Sequence, residues 1–210
     1  MTQPIIVTIG GPPGAGKTTL CFALARRLNS LAMTLDDIVV AARAITTPES
    51  HPGLHLTNTT TVADYFTYSH PDKLISDAKI QQETIWPAME RVIRLRAKGN
   101  KTMVIDGWFL RPSQISALNL ENVIPFWLNV DPAVLEARER ELSKELGDSQ
   151  DHEKMLQNFL KRSFWHNDLI CREAKKIGQT VLYQNGDTSV DDLCEIALER
   201  LAAQSHLAQT

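Results

Sequence analysis

Residues 5–18 read IIVTIGGPPGAGKT, an apolar, largely β-branched run that passes directly into glycines and then into a lysine and a threonine. Ile5 to Ile9 has the character of a strand buried on both faces, and Lys17 to Asn29 carries Leu20, Ala23, Leu24 and Leu28 at helical spacing. Between them, Gly11 to Thr18 satisfies G-x-x-x-x-G-K-[ST] in the strand-to-helix context that this motif requires. Glycines at 11, 14 and 16 let the backbone wrap closely around oxygens. N–H groups from Gly14, Ala15 and Gly16 through Thr18 and Thr19, at the helix N-terminus, then point at a nucleotide's phosphates. Lys17 is expected to bridge the β- and γ-phosphates as the catalytic cation, and the Thr18 hydroxyl to ligate Mg²⁺.

The rest of the chain alternates strand and helix. "LAMTL" before Asp36 and Asp37 reads as a second strand, "TMVID" ending at Asp106 as a third, "VIPFWLNV" as a fourth and "QTVLYQN" as a fifth. Helical patterns fall at 72–98, with Pro87 a kink or break, and at 133–146, 151–177 and 190–203. Asp131-Pro132 supplies an N-cap followed by proline at the first helical position. Met155, Phe159, Phe164 and Leu169 form an apolar stripe, read as core. Residues 46–71, rich in Thr, Pro, Gly and His with weak periodicity, read as a long excursion from the sheet, and such excursions are often functional. The alternation implies an α/β fold with right-handed crossovers, a parallel sheet covered on both faces, and ligands outside the carboxyl ends of the strands.

At 210 residues and 43% hydrophobic composition, one domain spanning 1–210 is expected. A formal net charge of -3 gives no overall attraction to nucleic acid or to an anionic membrane surface, so no such partner is expected. Cys21, Cys171 and Cys194 are too few and too scattered for a disulfide framework or a zinc site, and read as buried small hydrophobes in a reducing compartment. The amino terminus lacks a basic and apolar leader, and no apolar run reaches about 18 residues. A soluble, cytoplasmic protein is the expectation.

Asp106 closes an apolar strand and suits the acid that faces Mg²⁺ beside the phosphates, the competing role being a turn cap. Asp36 and Asp37 end the second strand and should face the same crevice, where a carboxylate can take a hydroxyl proton as the γ-phosphoryl departs. Asp36 is the first choice for that base, Asp37 a neighbouring acceptor contact, and helix capping the alternative for either. A guanine-specific N-K-x-D is missing, because Asn100-Lys101-Thr102-Met103 puts Met where the acid is needed. The LSGGQ-like signature of transport ATPases is also missing.

What remains resembles the small P-loop kinases, from "GGPPGAGKTT" through "LDDI", "VIDGWFLRP" and "FWLNVDPAVLEARER" to "LYQNGD". The resemblance implies a three-layer P-loop kinase fold with a five-stranded parallel sheet of order 2-3-1-4-5, ATP and Mg²⁺ as cofactors, and a small-molecule acceptor. Within that group "MTLDDI", "GLHLTNTT", "VIDGWFLRP" and "REAKKIG" look like 2-phosphoglycerate kinase relatives, although Asp106 stands where those more often have Glu. It also implies an arginine-bearing lid, here at 133–165, with Arg138 and Arg162 the chosen cations among Arg138, Arg140, Lys144, Lys161 and Arg162. Arg111 follows "DGWFL" much as an acceptor-binding arginine follows an Asp-Gly pair in nucleoside monophosphate kinases, with one residue more between them. Arg43 has the same option, and for both the competing role is a surface ion pair. His55 is expected to contact the acceptor, Trp108 to line its pocket, and Asn185 to meet the base edge, while Trp86, Trp127 and Trp165 fill the core. Pro52-Gly53 forbids the helix that would make His51 and His55 a metal pair. Two competing readings are a toxin-like nucleotide-sugar kinase and a nucleotide-dependent switch without an acceptor.

Overall fold

The computed structural model describes residues 4–57, 60–145 and 149–207. Strands β1 (Ile6–Gly10), β2 (Leu31–Thr34), β3 (Met103–Asp106), β4 (Val123–Val130) and β5 (Thr180–Gln184) form a parallel sheet ordered β2-β3-β1-β4-β5, the expected order. The helices are α1 (Lys17–Arg27), α2 (Asp36–Ile45), α3 (Val62–Tyr68), α4 (Pro71–Ala97), α5 (Pro112–Ala117), α6 (Pro132–Leu142), α7 (His152–Lys176) and α8 (Val190–Leu207). Among the described residues no helix is long and apolar enough to cross a membrane.

Strand alternation builds two cores, one on each face of the sheet. Ile6, Ile105 and Trp127 pack with Met89 and Ile93 of α4 and Ile170 of α7. Val7, Ile9, Val104 and Phe126 pack with Leu20 and Leu24 of α1 and Leu193 of α8. Asn167 of α7 pins the top of β4, its Oδ1 accepting from Val130 N at 3.0 Å and its Nδ2 donating to Val130 O at 2.9 Å. The register sets Ile9 and Thr34 both beside Asp106, so β1, β3 and β2 end level.

Several expectations change. Asp36 and Asp37 do not end β2; they open α2, with Leu35 at its N-cap, and their charges suit the positive end of that helix. The helix at 71–97 runs unbroken through Pro87, which is exposed, as is Glu83, so the carbonyl that loses its donor faces water. The excursion is largely structured. It holds a 3₁₀ turn at Pro52–Leu54 and then α3, whose N-cap Thr61 accepts from Asp64 N at 3.1 Å. Ala63, Tyr65 and Phe66 pack with Leu74, Met155 and Phe159 in a third cluster, and Asn158 Nδ2 donates to Phe66 O at 2.8 Å. Asn58 and Thr59 of "GLHLTNTT", and residues 146–148 between α6 and α7, lie outside the described residues.

Trp127 is fully buried, its Nε1 donating to Gln179 Oε1 at 2.7 Å, and Trp86 packs partly buried against the same core. Trp165 is not core: it is half-buried, with Lys79 Nζ 5.6 Å from its ring centre. Cys21 and Cys194 are buried as expected, whereas Cys171 is half-buried.

At the end of β1, Gly10 lies under the Trp127 indole, which a Cβ would overlap. Gly10→Ala is expected to cost about 1–3 kcal/mol. The change should appear as a lower urea midpoint at unchanged slope; an unchanged midpoint would contradict this packing.

Candidate active site

The phosphate-binding turn depends on backbone that few residues adopt, with Gly14 at φ +69° and Gly16 at φ +79°. Gly16 is the N-cap of α1 and no side chain caps that end, which leaves the first N–H groups of the helix for an anion. Lys17 is buried, and its Nζ donates to Pro12 O at 2.8 Å. Burial lowers its pKa, while Asp36, Asp106 and Glu139 hold it charged. Thr18 Oγ1 donates to Asp106 Oδ2 at 2.8 Å. Asp106 Oδ1 is buried with no hydrogen-bond partner. A hydroxyl beside an unpartnered carboxylate oxygen is a hard donor set that fits Mg²⁺. Burial raises the Asp106 pKa, opposed by Thr18 and Lys17. It also pushes the neighbouring Cys21 thiol up to about 12, which leaves that residue inert.

Strand-end alternation left Asp36 and Asp37 equivalent, and helix α2 separates them. Asp37 is exposed; Asp36 is turned inward, with its Oδ1 buried and unpartnered and the Trp108 backbone N–H donating to its carboxylate. Burial raises its pKa, Lys17 lowers it and Asp106 raises it further. Asp36 therefore lies within the electrostatic reach of the phosphate-binding lysine.

Asp36 also lines a cavity of about 300 Å³. Arg43, Trp108 and Arg162 line the same cavity, so four of the expected residues meet there. Tyr65, Phe66 and Phe159 complete an aromatic wall that the sequence did not disclose, because α3 was unrecognised and Phe159 read as core. The Arg162 guanidinium lies 4.6 Å from the Phe66 ring centre, 4.8 Å from Phe159 and 5.3 Å from Trp108. Burial pushes its pKa down to about 10, with Tyr65 and Glu139 opposing. Arg43 Nε donates to Leu54 O at 2.7 Å.

Three of the expected acceptor contacts do not line this cavity: the exposed Asp37, Arg111 and His55. Arg111 is ion-paired with Glu173, which also accepts from Ser113 Oγ at 3.1 Å. His55 Nε2 and Thr46 Oγ1 are 2.9 Å apart. Among the described residues no group of three His, Cys, Asp or Glu side chains is placed to hold a metal ion.

A second cavity of about 670 Å³ lies over the phosphate-binding turn, lined by Gly14, Gly16, Thr19, Arg138, Gln184 and Thr188 among others. Arg138 NH1 donates to Gln184 Oε1 at 2.7 Å and Gly14 O at 3.4 Å, which fixes this arginine at the wall of the cavity over the turn. Arg140 instead pairs with Glu153 at 3.0 Å, and Lys144 with Glu141 at 2.7 Å. Asn185 does not line this cavity; its Oδ1 holds the following turn, accepting from Thr188 N at 2.9 Å and Asp187 N at 3.1 Å. Gln184 and Thr188, by contrast, line this cavity.

Glu139 and His166 were not foreseen. Glu139 is fully buried in α6, where Ser163 Oγ donates to its Oε1 at 3.3 Å and its Oε2 has no partner. It packs so close that a Cβ on Gly14 would come within 2.9 Å of Oε1. Burial pushes its pKa up to about 7, against Arg162, Ser163 and Lys17. The spacing of Leu135 and Glu139, one helical turn apart, does place them on one face, but in "EARERELSK" Glu139 is one acid among several. His166 is buried behind Trp108, with its Nε2 3.0 Å from Gln82 Nε2 and its pKa pushed down to about 3 by burial and by Lys17, Arg162 and Arg111.

No protein-family model matches the chain. A cytidylate kinase from Mannheimia succiniciproducens is 64% identical over 28 residues, which cover 13% of this chain and 12% of that protein. Solved structures match over nearly the whole chain, among them three kinases. A sugar kinase from Janibacter sp. HTCC2649 has a TM-score of 0.57 at 18% identity, covering 95% of each chain. A shikimate kinase from Aquifex aeolicus has 0.51 at 12% identity, covering 96% of this chain and 98% of its own. A shikimate kinase from Acinetobacter baumannii, in complex with shikimate, has 0.50 at 15% identity, covering 95% and 94%. These likenesses, with the strand order, show that the chain shares the fold of this sugar kinase and these shikimate kinases.

Glu139 gives this arrangement a pH signature. Its folded pKa near 7 lies above the unfolded carboxyl value, so its contribution to stability is fully present below about pH 4.5 and is lost as pH rises through about 7. Glu139→Gln removes that titration. The variant's melting temperature minus that of wild type should be at least about 2 °C larger at pH 8 than at pH 4.5. An equal difference at the two pH values would contradict a buried, proton-retaining carboxyl.

Proposed function

We propose that this protein is an ATP- and Mg²⁺-dependent kinase that transfers the γ-phosphoryl group to a hydroxyl of a small acceptor. The observation that carries the reading is the inward Asp36 carboxylate, which lines the cavity of about 300 Å³ within electrostatic reach of Lys17 of the phosphate-binding turn. Gly14 through Thr19 hold the phosphates, Arg138 and Gln184 flank the nucleotide, and Thr18 with Asp106 would hold Mg²⁺. Bound by these two residues, the metal would supply positive charge against that of the phosphates.

The acceptor hydroxyl donates to Asp36. As its oxygen bonds to the γ-phosphorus, the bond from that phosphorus to the β–γ bridging oxygen breaks, ADP leaves, and the hydroxyl proton passes to Asp36. Burial, which raises the Asp36 pKa, makes it a stronger base for this transfer. Lys17 stabilises charge on the departing phosphate. Arg162, held by three aromatic rings, offers a fixed positive charge without a large reorganisation cost.

The resemblance in "MTLDDI" and "VIDGWFLRP" makes 2-phosphoglycerate one acceptor to test. The shikimate bound to a neighbour of the same fold adds ring hydroxy acids to the panel. Asp36→Asn should lower acceptor-dependent ADP release by about 100-fold or more while nucleotide affinity is retained, with Lys17→Ala as the blank. Retained transfer in Asp36→Asn would sink the base assignment. Tight ATP binding that no acceptor converts to turnover, with an output indifferent to Asp36→Asn, would favour a nucleotide switch.

A further inference from the structure

Glu139 is fully buried, yet it lines neither of the two cavities. Its carboxyl lies between the parts that do. On one side it packs on the phosphate-binding turn, where a Cβ on Gly14 would come within 2.9 Å of Oε1 and 3.2 Å of Cδ. Arg138, its neighbour in α6, engages the same glycine by donating to Gly14 O at 3.4 Å. On the other side Ser163 Oγ of α7 donates to Oε1 at 3.3 Å, and the carboxyl attracts Arg162, which precedes that serine. Arg162 lines the cavity of about 300 Å³ among the rings of Phe66, Phe159 and Trp108. A single carboxyl therefore bears on the phosphate-binding turn and on the helix that carries a cation of the other cavity.

Packing alone does not call for a carboxyl at this place. Leu135, one helical turn earlier, covers the same side of Gly14 with an aliphatic side chain and no buried charge. What a carboxyl adds is a charge that two cations share: Lys17 of α1 and Arg162 of α7 are the charged groups that face it. Glu139 Oε2 and Arg162 Nε are both buried without a hydrogen-bond partner, so each retains capacity that a change of charge nearby can redirect.

We propose that Glu139 is a positioning residue that couples the two cavities: it holds Arg162 before nucleotide binds, and releases that guanidinium's charge to the second cavity once phosphates occupy the turn. Phosphates engaged by Lys17 cancel its pull on Glu139 and add negative charge nearby. Both changes favour a proton, taken from solvent, on the carboxyl. Burial already sets that pKa at about 7, so the change falls near neutral pH. The nucleotide half rests on the kinase reading; the link from Glu139 to Arg162 does not.

The Nε–H resonance of Arg162 in ¹H–¹⁵N spectra of the full chain, identified by its loss in Arg162→Lys, reads the link directly. In wild type it should move with pH about a midpoint near 7, and Mg²⁺ with a non-hydrolysable ATP analogue should raise that midpoint. Glu139→Gln keeps the shape and an acceptor for Ser163 but not the charge, and should lose both responses; circular dichroism reports whether it is folded. Should that variant fail to fold, Ser163→Ala gives the second test: it removes a bond that favours the ionised carboxyl, and should raise the midpoint without abolishing the titration. By reciprocity, the wild-type affinity for the analogue, divided by that of Glu139→Gln, should fall by about fivefold or more from pH 6 to pH 8. A space-filling role predicts none of these pH effects. The proposal is overturned by an Arg162 resonance indifferent to pH, by responses that persist in Glu139→Gln, by an unmoved midpoint in Ser163→Ala, or by an affinity ratio equal at the two pH values. A folded wild type that binds no analogue would contradict the kinase reading, while the pH dependence of the Arg162 resonance would still test its link to Glu139.

Discussion

The hydrogen bond from Thr18 Oγ1 to Asp106 Oδ2, at 2.8 Å, joins the phosphate-binding turn to the neighbouring strand, and the site depends on the register that allows it. Ile9 and Thr34 both lie level with Asp106, so β1, β2 and β3 open their carboxyl ends into one crevice. Leu35 N donates to Asp106 O at 2.7 Å, which turns the chain at the end of β2 and starts α2 with Asp36 facing inward. A one-residue slip of β3 would move its acid to the other face of the sheet.

Around that crevice the structure concentrates charge where burial makes it costly. Lys17, Asp36, Asp106 and Glu139 interact, and Arg162 adds a cation beside Glu139. Burial raises the pKa of the three acids and lowers that of the two cations. Such opposed shifts in one cleft are the arrangement expected of groups that handle protons and phosphate charge. The unpartnered oxygens of Asp36, Asp106 and Glu139, with Arg162 Nε, belong to the same cluster. Ligand groups in the cleft would satisfy those of Asp36, Asp106 and Arg162, whereas Thr8 Oγ1, Gln82 Oε1, Arg111 Nε, Gln114 Oε1 and His166 Nδ1 are unpartnered outside the cluster.

The parts of this picture legible in the sequence were those with strong local patterns. Five apolar strands, the G-x-x-x-x-G-K-T turn and the Asp131-Pro132 cap each reflect short-range chemistry, and the parallel order follows from the alternation of strand and helix. Asp36 was the first choice of base from the sequence, but strand alternation supplied no reason to prefer it to Asp37; that reason comes from the turn into α2, where Leu35 N donates to Asp106 O. Helix α3 was hidden because it is only seven residues long and follows a threonine-rich run, and its apolar face is defined only against Leu74, Met155 and Phe159. Glu139 was hidden for the opposite reason: it resembles a solvated helix charge until α7 and the phosphate-binding turn close over it. Arg111 and Asn185 were plausible by spacing, yet Glu173 and the 185–188 turn engage them.

The central claim is that nucleotide and acceptor meet at Asp36. A crystal structure of the protein with ADP, Mg²⁺ and aluminium fluoride tests it most directly. The metal fluoride should lie between the β-phosphate, held by the 11–18 turn, and the Asp36 carboxylate, with Mg²⁺ on the Thr18 and Asp106 side. A nucleotide bound elsewhere, or a metal fluoride directed away from Asp36, would contradict it.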